Sequence, residues 1–159
     1  MPNGIHADLL ARLADIQATL PGVTGAVPRL FDPFSLNDPA GRFVNAIQRI
    51  APDYGVGTGW LGETVRVLMR FIAGALGTNY DAHEGTLNAM IDRVLVAFAE
   101  RGALQHPMTD VAFRYLDAPA RIVEVIGARG MQTTPGGVEV LVADFILEAR
   151  LTYPIQRVG

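Results

Sequence analysis

The residues most suggestive of chemistry are Gly57-Thr-Gly59-Trp-Leu-Gly62, which have the spacing of a dinucleotide-binding glycine loop. Such a loop works when it follows a buried strand and opens a helix, because the first amides of that helix then meet the pyrophosphate. Here Pro52-Asp53-Tyr54-Gly55-Val56 precede it and a β-branched run follows, so the expected reading is a structural or interaction loop. The nucleotide-binding alternative, using Gly57, Gly59 and Gly62, requires a helix starting near Glu63. His83-Glu84 begins like a zincin motif, but Leu87 stands where the second histidine is needed, which leaves His83 and Glu84 as a solvated helix start. Ser35, the only serine, lacks the glycine-flanked elbow of an acyl-transfer nucleophile. Asp144 and Glu148 fall on the polar side of a strand, where Arg150 can neutralise them, so they read as a charge cluster more than an acid/base pair. No catalytic residue, metal ligand or cofactor-binding residue is assigned, and no enzymatic activity is expected.

These residues sit in a chain of 159 residues, long enough for one domain with its own core. The absence of cysteine excludes disulfides, zinc–thiolate sites and a thiol nucleophile. A formal charge of -3 argues against a dense nucleic-acid-binding face. All 13 basic residues are arginine, half of the chain is hydrophobic, and mean hydropathy is +0.25. That apolar balance suits surface hidden between subunits. The N-terminus lacks the pattern of a secretory signal, and no window is long and apolar enough for a membrane span, so a soluble, unexported chain is expected.

The positioning elements follow from periodicity. Ile5, Leu9, Leu13, Ile16 and Leu20 recur at helical spacing up to Pro21-Gly22. Pro28, Pro33 and Pro39 allow at most a short edge strand around residues 23–31. "RFVNAIQRI" is ambiguous between helix and strand, and residues 31–62 together read as a long Pro/Gly-rich loop region. "ETVRVLMRFIAGAL" admits both readings. As a strand it sends Val65, Val67, Met69 and Phe71 to one face and Arg66, Leu68, Arg70 and Ile72 to the other, and its β-branched residues favour that reading. Leu87, Met90, Ile91, Val94, Leu95 and Phe98 define a helix over residues 82–101, capped by Asn79 or Asp81. "RIVEVIGA", the turn "MQTTPGG" and "VEVLVADFILEARLTY" read as a hairpin, with Leu141, Phe145, Leu147 and Leu151 on one face. The expected class is α+β: a small, mostly antiparallel sheet flanked by two main helices, one domain over residues 1–159.

The helix "HADLLARLADIQATL" leading through "PGV" to a weak strand, the strand "TVRVLMRFIAG", the helix "LNAMIDRVLVAFAERG" and the closing "VADFILEARLTYP" together resemble the tail terminator, or tail completion, proteins of long-tailed bacteriophages. The resemblance spans roughly residues 5–154 and is one of element order more than of a fixed residue signature. It implies a homohexameric ring on the head-proximal end of the tail tube, in the virion at the tail–neck junction. Its partners would be the tail tube protein and a neck or head-completion protein, with DNA passing through the lumen without specific binding and no membrane involved. A head-completion or neck connector ring is the nearest alternative. Tyr54, Trp60, Arg66 and Arg70 are expected at subunit or tube contacts, and Arg129, Met131 and Gln132 near a hairpin tip projecting towards a partner or the lumen.

Overall fold

In the computed structural model, residues 4–30, 40–75, 77, 80–132 and 139–155 are described. Two α-helices, α1 (Ile5–Gln17) and α2 (Tyr80–Glu100), accompany five strands: β1 (Gly25–Val27), β2 (Arg42–Asp53), β3 (Trp60–Ala75), β4 (Arg121–Gln132) and β5 (Glu139–Pro154). The strands form one sheet in the order β1-β2-β3-β5-β4. Every pairing is antiparallel except that of β1 with β2, so the sheet is mixed, and the single α+β domain expected from sequence is the observed one.

β3 is the centre of the sheet, and its alternation decides which side carries the core. Val65, Val67, Met69 and Phe71 are fully buried on the side that meets α1 through Leu9, Leu13 and Ile16 and α2 through Leu87, Met90, Val94 and Phe98. β5 supplies Leu141, Phe145, Leu147 and Leu151 to the same core. Phe43 of β2 packs its ring 5.1 Å from that of Phe71. Both helices therefore cover one face. The opposite face holds a smaller buried cluster of Ile72, Val140 and Val142 beside paired charges.

Two polar groups inside the main core bond to each other. Gln17 and Asn45, both fully buried, exchange amide hydrogen bonds of 2.7 and 2.8 Å, and Asn45 Nδ2 also donates to the carbonyl of Val27 at 3.0 Å. Burial without such partners would cost more than the bonds return, so the pair fixes how α1 sits against β1 and β2.

The region expected to be a long loop contains β2. Its alternation is hidden for two reasons: the register shifts between Ile47 and Arg49, and everything from Gln48 to Asp53 is exposed and has no apolar side to display. Pro52, which has no N–H, belongs to this strand and pairs with Glu63 in register. Residues 31–39, with Phe34 and Ser35, lie outside the described residues, as do Asn79 and the hairpin turn at 133–138. His83 is also not simply solvated. Its ring lies against the backbone of Gly74, where a Cβ would come within 2.4 Å of it.

On the helix-free face, Asp144 and Glu148 are neutralised from β3 and β4, not by Arg150. Arg70 donates to Asp144 through Nε at 2.7 Å and a second guanidinium nitrogen at 3.0 Å, and the Asp144 side chain is 1% exposed. Glu148 sits between Arg66 at 3.3 Å and Arg121 at 3.5 Å, while Arg150 turns to Asp117 at 3.8 Å. Cross-strand register explains the choice, since Arg70 lies opposite Asp144 and Arg66 opposite Glu148.

The two arginines should differ in what their loss costs. Arg70→Ala removes the bidentate partner of a buried carboxylate and is expected to destabilise by about 3 kcal/mol. Arg66→Ala, at a half-exposed pair, is expected to cost about 1 kcal/mol or less. Urea unfolding of both variants checks the difference; equal losses would contradict it.

Candidate interaction surface

The glycine loop joins two adjacent antiparallel strands, β2 and β3. Asp53 Oδ1 accepts from the backbone N–H of Gly55 at 2.9 Å, starting a single 3₁₀ turn over Tyr54–Val56. Gly57 and Gly59 then adopt φ values of 134° and 81°, a region that side chains with a Cβ rarely occupy. Gly62 serves a different need, because a Cβ there would come within 2.7 Å of Val56 Cγ1. The residues after the loop are strand from Trp60 onward, with no helix near Glu63. The three glycines thus satisfy the geometry of a tight connection, and the strand–loop–helix context of a pyrophosphate site is absent.

The connection presents a cluster of apolar side chains to solvent. Tyr54 is 77% exposed, Trp60 48% and Ile155 61%, and Val56 of the same connection is exposed as well. They share one end of the sheet because Trp60 pairs with Pro154 in register and the Ile155 N–H donates to the Gly59 carbonyl at 2.8 Å. β3 holds this end firmly, since strands flank it on both sides. A cleft of about 20 Å³, room for a water molecule, lies next to the cluster among Asp53, Gly62, Thr64, Asp117, Arg150 and Thr152.

The residues expected to make contacts do not form one patch. Tyr54 and Trp60 belong to the exposed end just described. Arg66 and Arg70 lie on the helix-free face and are engaged within the chain, Arg70 with only 14% of its side chain exposed. Arg129, Met131 and Gln132 lie on β4 where it pairs with Val142, Val140 and Glu139, at the end of the sheet opposite Trp60. Their side chains, and residues 133 and 134, fall outside the described residues. Along β3 the two ends are about 50 Å apart, at ~3.3 Å per residue.

Behind the exposed end sits a polar group that sequence reasoning passed over. Glu63 has 3% of its side chain exposed, and its carboxylate pairs with the His6 ring of α1 through one oxygen and accepts from the Tyr153 hydroxyl at 3.0 Å through the other. The signal was available: Glu63 shares the parity of Val65 and Val67, which puts a charge on the buried face and requires partners there. The triad ties α1, β3 and β5 together at the root of the glycine loop. Burial first, then the hydrogen bond to Glu63 and the charges of Glu63 and Tyr54, push the Tyr153 phenol up from 10.0 to about 12. Among the described residues no group of three or more His, Asp or Glu side chains is placed to hold a metal, and no helix is long and apolar enough to cross a membrane.

No protein-family model matches the chain, and no curated protein is significantly similar to it.

Tyr153 offers a direct check on the triad. Its pKa is raised on folding, so its contribution to stability is fully present below pH 10 and is lost as pH rises towards about 12. Ultraviolet titration of the tyrosines should show one phenol ionising near the upper value, and Glu63→Gln should bring it down. A titration unchanged by that substitution would contradict the network.

Proposed function

We propose that the chain is the subunit of a homohexameric ring that caps the head-proximal end of a bacteriophage tail tube, ends tube polymerisation and joins the tail to the neck. The observation that carries this reading is the set of exposed apolar side chains, Tyr54, Val56, Trp60 and Ile155, at the glycine-loop end of the sheet. Aromatic side chains held by a fixed backbone are good anchors for a protein partner, since little conformational entropy is lost when they are buried. The order of elements supports it too. An amphipathic helix, a short edge strand, a long central strand, a second helix and a closing hairpin follow one another as in the tail terminator pattern, with β2 added before the central strand.

The reading asks for contacts and no active site. In a ring, unlike patches meet head to tail, and this chain offers dissimilar ends and edges for that purpose. DNA would pass through the lumen without specific binding, which suits a chain of net charge -3. A head-completion or neck connector ring would use the same exposed end against the portal side, so the identity of the partner separates the two readings.

The test is tube growth. Added to polymerising tail tube protein of its own virion, the chain should arrest elongation, with a ring visible at one tube end by electron microscopy. Trp60→Ala should weaken assembly by about 2 kcal/mol, raising the concentration needed for arrest by roughly 30-fold. Tubes that elongate unhindered while the protein binds the portal side would favour the connector reading. Capping unaffected by the substitution would remove Trp60 from the contact.

A further inference from the structure

Both sides of the sheet end in strand edges with nothing beside them among the described residues. β1 covers β2 only over Arg42–Val44, and the Arg29 carbonyl takes the N–H of Asn45 at 3.0 Å. From Gln48 to Asp53 β2 is exposed and pairs with β3 alone. On the other side β4 is the last strand of the sheet, and among the described residues no strand pairs with its outer edge. An open edge presents backbone donors and acceptors that another strand satisfies best.

The two edges are complementary. β2, β3, β5 and β4 alternate in direction, so β2 and β4 run opposite ways. A second copy placed alongside with the same face up would therefore set its β2 antiparallel to this β4, which is the better-bonded arrangement. Arg49 lies opposite Arg66 and Glu124 opposite Ile146 in register, which places both Arg49 and Glu124 on the helix-free face. Both are exposed, and among the described residues neither has an ion-pair or hydrogen-bond partner. Arg66, opposite Arg49, has its own partner in Glu148, and Arg49 is left to seek a carboxylate elsewhere. Each is followed or preceded by an exposed aliphatic residue, Ile50 on β2 and Val123 on β4. Pro52, with no N–H, ends the usable stretch of β2, and register shifts between Ile122 and Glu124 and between Ile126 and Arg129 bound that of β4.

We infer that the outer edge of β4 in one copy adds antiparallel to the Arg49–Ala51 edge of β2 in a second copy of this chain, with Glu124 facing Arg49. The contact is heterologous, one edge meeting a different edge, so repetition gives a ring if the rotation closes and a filament if it does not. It rests on the self-assembly part of the proposed function and names the surface that would carry it.

The natural chain has no cysteine, which makes the test clean. An Arg49→Cys, Glu124→Cys double variant, mildly oxidised, should give a ladder of covalent oligomers on a non-reducing gel. Mixing the two single variants should give dimers only, and each alone should stay monomeric. Separately, Arg49→Glu and Glu124→Arg should each raise the concentration for half-assembly by about tenfold, and combining them should restore it. Wild-type oligomers in native mass spectrometry without any cross-linking would overturn this contact and leave the ring standing. Dimers of Arg49→Cys alone would replace it with a symmetric β2–β2 contact. A wild-type chain that stays monomeric and variants that never cross-link would overturn the contact and the self-assembly reading together.

Discussion

Arg70 and Asp144 face each other across β3 and β5 through two hydrogen bonds of 2.7 and 3.0 Å, and the carboxylate is almost wholly shielded from water. A slip of one residue between these strands would carry Arg70 to the side packed by α1 and α2 and bring Val65, Val67, Met69 and Phe71 out of the core. Hydrophobic burial on one face and charge pairing on the other thus demand the same register. That shared demand fixes the long antiparallel pairing from Trp60 and Pro154 to Ala75 and Val140, from which the other elements take their positions. Arg66, Glu148 and Arg121 repeat the arrangement four residues along and draw in β4.

With β3 and β5 set, the remaining contacts divide by place. The core side is filled by the helices and contains its polar groups in closed sets, Gln17 with Asn45 and Glu63 with His6 and Tyr153. At the periphery lie exposed apolar side chains around Trp60 and, among the described residues, unpaired edges of β2 and β4, while the buried Oε1 of Gln105 also lacks a partner. Under the ring proposal these are the surfaces that meet other proteins. The glycine loop belongs to this scheme as a tight connection that holds Tyr54 and Trp60 outward.

Where a face is buried, the alternation of residue types was readable. Arg66, Leu68, Arg70 and Ile72 against Val65, Val67, Met69 and Phe71 placed β3 correctly, Leu87, Met90, Val94 and Phe98 located α2, and the parity of β5 separated Leu141 from Asp144. β2 was not readable because its register shift breaks the alternation and its exposed half has no apolar side. Partnerships across long stretches of chain were equally hidden. Nothing local to Asn45 announces Gln17, 28 residues away, and nothing near Glu63 announces Tyr153, 90 residues away. The choice of Arg70 over Arg150 as the partner of Asp144 likewise depends on strand order, which periodicity does not encode. The cross-strand pairs of Arg66 and Arg70 were hidden because the same arginine fork that suits an interface also suits a carboxylate on a neighbouring strand.

The central claim, that this chain acts as a self-assembling ring subunit, is tested most directly by native mass spectrometry of the purified protein over a range of concentrations, with and without a dinucleotide. A six-subunit species whose mass and abundance ignore the nucleotide is expected. A monomer or dimer carrying one nucleotide per chain would contradict it.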